Sequence, residues 1–159
     1  MTSSETVPAV GSIRRLQALA VAGWPWARIA RESGLAPARL HRILTATVVT
    51  AEDARAVSAV YDRLSMVSPG LCGVPAMYAR AARARAAELG WAPVGAWDDD
   101  TIDDPDVAPE WTGHCGTIRG ADLHARHGIP VCPRCQAALD RRQQYRLARA
   151  LRGLPATRA

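Results

Sequence analysis

Apolar residues recur at helical spacing in five stretches of the first ninety positions, and each stretch is bounded by residues that start or stop a helix. Ile13, Leu16, Leu19 and Ala20 share a face, which predicts a helix from Ser12, a good N-cap, to Ala22, ended by Gly23. Pro25 can open a second helix at its first position, where the missing N–H is not needed, with Ile29 and Ala30 facing inward. Gly34 marks a bend where a left-handed backbone is cheap only without a Cβ, and Leu35 plugs the turn. Leu40, Ile43 and Leu44 form the inner stripe of a third, short helix. Thr47, Val48 and Val49 are a β-prone connection. Thr50 reads as the N-cap of a fourth helix, with Glu52 and Asp53 in its first turn and Ala54, Val57, Val60, Tyr61 and Leu64 inward. Ser68-Pro69-Gly70 breaks the chain. A fifth, Ala-rich helix runs from about Val74 to Leu89, stops at Gly90 and carries Arg80, Arg83 and Arg85 on its surface. Trp24 and Trp26 are read as core residues in a chain that has no Phe.

Charge then divides the 159 residues into blocks. All 20 basic residues are Arg, against 15 acids, and the pI is near 9.6. Residues 1–90 hold 11 Arg and 6 acids, residues 91–112 hold 7 acids and no Arg, and residues 113–159 hold 9 Arg and 2 acids. The middle block contains Trp91, Trp97, Trp111 and the run Asp98-Asp99-Asp100, with no visible period. The resulting map is a disordered N-terminus (1–11), a helical domain (12–90), an acidic linker (91–112) and a small basic module (113–159). The linker reads either as a solvated spacer or as a phosphate mimic that docks on a basic block. No apolar run is long enough to cross a membrane. The first residues lack the basic and apolar regions of a signal peptide, so a cytoplasmic, nucleoid-associated protein is expected.

Residues 24–45 have the spacing of a helix-turn-helix, and five helices with the second and third as the reader form the plan of a lambda-repressor-like domain. The fold class expected is therefore mainly α, a lambda-repressor-like bundle plus a zinc-stabilised C-terminal module. The outer face of the third helix offers Arg39, His41, Arg42 and Thr45 to phosphates and base edges in a major groove. Arg28 and Ser33 could touch phosphate near the turn. Double-stranded DNA is the expected partner. A short recognition helix often needs a second half-site, hence a homodimer.

Three of the four cysteines lie within twenty-one residues, as Cys115, Cys132 and Cys135, with His124 between them. A Cys-x-x-Cys pair converges on one tetrahedral ion, and a third thiolate with an imidazole closes the four-ligand set of a structural zinc site. The imidazole is assigned to His124, with His127 as the alternative; His114 adjoins Cys115 too tightly. Cys72, far upstream, is read as a small apolar residue. A short helical stretch from Ile118 to His127 leads to the pair. After it, a basic helix from Gln136 to Arg152 offers Arg141, Arg142 and Arg149 as a second phosphate-contacting surface. Zinc would anchor that helix, because so short a module lacks an adequate core.

Gly23-Trp24-Pro25, Ile29-Ala30, Ala59-Val60-Tyr61-Asp62-Arg63-Leu64, Gly90-Trp91-Ala92-Pro93 and Ala96-Trp97-Asp98-Asp99 resemble helix-turn-helix proteins of actinobacteriophages and actinobacterial mobile elements. Cys115-Gly116-Thr117, His124 and Cys132-Pro133-Arg134-Cys135 resemble a Cys/His module found in the same setting. The resemblance implies a sequence-specific DNA-binding regulator. The chain departs from it where Pro37 enters the recognition helix early and Ala36 and Ala38 leave its leading edge bare. Two further classes fit the same motifs. One is a protein–protein adaptor, docking on host or phage transcription machinery. The other is a zinc-dependent nuclease, which a closed four-ligand site disfavours because it leaves no position for water.

Overall fold

Three of the first five helices end where the backbone turns left-handed at a glycine. In the computed structural model, which describes residues 5–109, 114–126, 128 and 130–153, α1 (Val10–Ala22) stops at Gly23, whose φ is +104°. The amide of Gly23 donates to the Ala20 carbonyl and that of Trp24 to the Leu19 carbonyl, so the orphan carbonyls of the last turn are satisfied. The next helix, α2 (Trp26–Ser33), ends in the same way at Gly34, φ +72°. Pro25 stands one place before α2 as its N-cap, and its carbonyl accepts from the amides of Arg28 and Ile29. The third helix, α3 (Pro37–Ile43), begins on Pro37. The fourth, α4 (Ala51–Leu64), begins after Thr50, whose hydroxyl accepts from the Asp53 amide at 3.1 Å. The fifth, α5 (Ala76–Leu89), ends at Gly90.

The chain divides into two units at residues 110/111. In the first, Leu16, Leu19, Trp24, Ile29, Leu40, Val57 and Val60 are completely buried. Trp24 is the largest of these, and its Nε1–H donates to the Leu64 carbonyl at 3.1 Å, so its one polar atom is satisfied. Arg83 of α5 donates to the Ala22 carbonyl at 3.0 Å and closes the C-terminal end of α1.

Two expectations are corrected at the edges of this unit. Residues 5–11, expected to be disordered, are ordered. Thr6–Pro8 form β1, antiparallel to β2 (Val48–Thr50), with Val7 opposite Val49. The Ala9 amide continues the pairing to the Thr47 carbonyl at 3.0 Å. Because the sheet sets the direction of entry, α1 starts at Val10, and Ser12 lies inside the helix, buried, instead of capping it.

The second correction concerns the acidic linker. Its residues 91–109 lie in the first unit and pack against the bundle. Ile102 is fully buried in the main core, Ala96 is 1% exposed, and Trp97 packs against the same cluster. The backbone of the segment is held by Arg14 of α1, which donates to the carbonyls of Ile102 at 2.9 Å, Asp104 at 2.6 Å and Val107. The Arg14 guanidinium also lies 4.4 Å over the Trp97 ring. Arg15 grips the Asp103 carboxylate with both terminal nitrogens, one pair at 2.9 Å. Gly11, having no Cβ, leaves the space that this carboxylate occupies. The segment lacks a helical or strand period because single apolar residues at irregular intervals anchor it, with Arg14 satisfying its carbonyls and Arg15 a carboxylate.

The second unit contains α6 (Ile118–Arg126) and α7 (Pro133–Gly153). Thr117 starts α6: its hydroxyl accepts from the Gly120 amide at 3.0 Å and donates to the His114 carbonyl at 2.7 Å. Ala121, Leu123, His124, Cys135 and Ala138 are buried, a small apolar centre for two helices. The second helix starts at Pro133, three residues before the expected Gln136, so the Cys-x-x-Cys pair straddles its beginning.

Candidate nucleic-acid interface and candidate metal centre

The two faces of α3 differ sharply. Leu40 and Ile43 are 0% and 3% exposed, whereas His41 and Arg42 are exposed; Thr45, expected on the same outer face, is exposed in the turn two residues past the helix end. Arg39 lies at the margin. Its Nε donates to the Asp53 carboxylate of α4 at 2.8 and 2.9 Å, with the Arg39 side chain 42% exposed and that of Asp53 8%. Arg39, Arg42, Thr50 and Asp53 line a cleft of about 270 Å³ beside the helix. The His41 ring sits 5.7 Å from the Trp26 ring, centre to centre. Thr45 Oγ1 donates to the Arg42 carbonyl at 3.3 Å.

Two of the other expected contacts are already engaged, one along α2 and one at the bend before α3. Arg28 pairs with Glu32 one turn later, Nε to carboxylate 2.8 Å. The Ser33 hydroxyl donates to the Ala30 carbonyl and accepts from the Leu35 amide, at 3.2 and 3.3 Å, which fixes the bend. The sequence shows Asp53 only as a first-turn acid favouring the helix end. Its spacing gave no sign that it would reach Arg39, because that contact depends on how the helices cross.

In the second unit, the ligand atoms of Cys115, His124, Cys132 and Cys135 all lie within 4.8 Å of one another. The sequence-derived set is therefore the set the fold brings together. His127, the alternative ligand, lies outside the described residues. His124 is 2% exposed, and its Nε2 stands 3.6 Å from the Cys115 sulfur. A tetrahedral zinc about 2.3 Å from sulfur and about 2.0–2.1 Å from nitrogen would place those two atoms ~3.5–3.6 Å apart. The donors therefore fit the ion in type, this pair fits it in spacing, and the four lie close enough together to hold one ion.

Hydrogen bonds reinforce the fit. Burial alone would raise the Cys132 thiol; the Cys135 amide and the side chains of Cys115, Cys135 and His124 outweigh it and bring Cys132 down to about 6. Burial pushes Cys135 up, against the opposing amide of Gly116. A cation among these sulfurs would favour thiolates throughout. Gly120 is the residue that sequence reading missed. A Cβ there would strike the His114 carbonyl and come within 2.9 Å of the Cys135 sulfur, so only glycine lets α6 lie this close to the site. Cys72 lies in the 3-10 turn Pro69–Cys72 of the first unit, half-buried against its core.

Beyond Ala138 and the half-buried Leu139, α7 leaves the small core, and residues 141–152 are exposed. Arg142 and Arg149 are among them, while Arg141 donates to the Gly116 carbonyl at 3.3 Å. Tyr145, Leu147 and Leu151 are 64%, 58% and 69% exposed. No helix among the described residues is long and apolar enough to cross a membrane. Comparison of the chain with family models, curated proteins and solved structures finds no match.

Proposed function

We propose that the protein binds double-stranded DNA sequence-specifically, as a transcriptional regulator built on a lambda-repressor-like helix-turn-helix with a structural zinc module. The observation that carries this reading is the division of α3, with Leu40 and Ile43 buried and His41 and Arg42 turned outward beside an anchored Arg39, and Thr45 exposed just past its end. Arg39 and Arg42 contact guanine or phosphate, and His41 and Thr45 add weaker base contacts. Arg28, paired with Glu32 along α2, and Ser33, engaged at the bend, contribute at most phosphate contacts. Arg142 and Arg149 supply a second phosphate surface, with Arg141 bracing the zinc module. The zinc is structural: four protein donors fill a tetrahedron and leave no position for a reacting water, which favours a binding protein over a nuclease. The resemblance to phage and mobile-element regulators supports a cytoplasmic, nucleoid-bound role and a homodimer on paired half-sites.

Selection of bound duplexes from a random pool, with and without a chelator, tests the proposal. One sequence is enriched, affinity falls steeply with salt, and Arg42→Ala relaxes the preference while Arg149→Ala weakens all sequences alike. Failure to enrich any sequence overturns it. The exposed Tyr145, Leu147 and Leu151 favour one addition, a protein partner for α7 such as the transcription machinery.

A further inference from the structure

A cavity of about 240 Å³ opens on the first unit between α2 and α5. Four aromatic side chains line it: Trp26, Tyr78 and Trp91 around the opening, and Trp24, itself fully buried, behind them. Trp26 and Trp91 meet edge to face, with ring centres 6.1 Å apart. Ala81 and Ala82 contribute only methyl groups, which keeps the space between the rings open. Its volume equals roughly eight waters at about 30 Å³ each, the size of one fused aromatic ring system with a short arm. An aromatic enclosure can take a cation by its ring faces, but here Arg85 lines the same cavity and opposes one. A guanidinium suits a carboxylate, which it can bind through two parallel hydrogen bonds. Its present partner, Glu88 at 3.2 Å, is an exposed pair about two-thirds accessible on each side, and such pairs exchange readily.

We propose that this cavity binds a small, flat aromatic carboxylate, its ring among Trp26, Tyr78 and Trp91 and its acid on Arg85. The ligand would touch Trp26, whose ring packs against His41 of α3. Occupancy therefore bears on the proposed reading helix. That coupling rests on the DNA-binding proposal, whereas ligand binding does not, so the two can fail separately.

The test is calorimetry and NMR of tryptophan indole N–H signals on the full-length protein, with 2-naphthoate as the probe. The comparators are the neutral 2-naphthylmethanol and the cationic 2-naphthylmethylamine. Naphthoate is expected to bind saturably, shift two indole signals, and bind about tenfold tighter than either comparator. Arg85→Gln should erase that preference without lowering the melting temperature, and Tyr78→Ala should weaken all three probes. The proposal is overturned by an absence of saturable binding up to millimolar naphthoate, or by preference for the amine. It is also overturned if Arg85→Gln retains the preference, or if the indole shifts appear with rising protein concentration alone, which would mean that a second copy fills the cavity.

Discussion

Replacing Ile102 by alanine asks whether residues 91–109 belong to the fold or merely follow it. The side chain is fully buried in the core formed by the helices, although it lies among seven acids. Removing it loses the transfer energy of its outer carbons and leaves a cavity, for a total of about 2–4 kcal/mol. In a domain of this size each kcal/mol moves the melting temperature by roughly 4–8 °C, so about 3 kcal/mol lowers it by ~12–24 °C. Guanidinium unfolding followed by tryptophan emission reads the change, because Trp24 is buried in the same cluster. Asp100→Ala, on the exposed surface of the same segment, should stay within about 0.5 kcal/mol of the parent. An Ile102→Ala protein as stable as the Asp100→Ala control would refute the assignment of this segment to the core.

The remaining predictions concern charge, metal and the reading helix. The hydrogen bonds from Arg15 hold the Asp103 carboxyl below its usual 3.8, so its contribution is present at neutral pH and is lost as pH falls through that lowered value. Asp103→Asn should therefore be less stable at pH 7 by at most about 0.5 kcal/mol, this side chain being 68% exposed, and equally stable in strong acid, as urea melts across pH will show. Chelation should unfold α6 and α7, seen as lost helical circular dichroism, while the near-ultraviolet tryptophan signal of the first unit persists. Gly120→Ala should weaken Co²⁺ binding, read from its thiolate absorption bands, by about tenfold or more, because α6 must move away from Cys135. Asp53→Asn should lower discrimination among duplexes by ~1–3 kcal/mol without removing salt-dependent binding, since Arg39 stays charged but loses its anchor.

What the sequence makes legible is whatever is encoded locally. Gly23, Gly34 and Gly90 stop helices where they are expected to, because each needs nothing beyond its own backbone freedom. Thr50 caps α4 because the cap bond spans three residues. The four candidate zinc ligands are recognisable because a Cys-x-x-Cys pair has a chemistry of its own. What stays hidden depends on distant partners. Val7 is strand only because Val49 lies opposite. Ile102 is core only because Arg14 and Arg15, nearly ninety positions earlier, hold its neighbours. An acidic segment looks solvated until the arginines that hold Asp103 and the carbonyls beside it are known, and nothing near Asp103 in the chain announces them. Gly120 escapes for the same reason, since its role is set by His114 and Cys135, which it meets in space.

Segments near the two boundaries of the first unit meet at one corner. Val7 and Pro8 line the same cleft as Asp103, against the start of α1. A body whose entrance and exit are neighbours can be spliced into a loop of a host protein, or have its ends joined by a short bridge and be reopened elsewhere, without redrawing its interior. The exposed stretch at Met66–Val67 is the natural place to reopen it. A permuted chain of this kind would present α3 unchanged while closing both original ends into one loop.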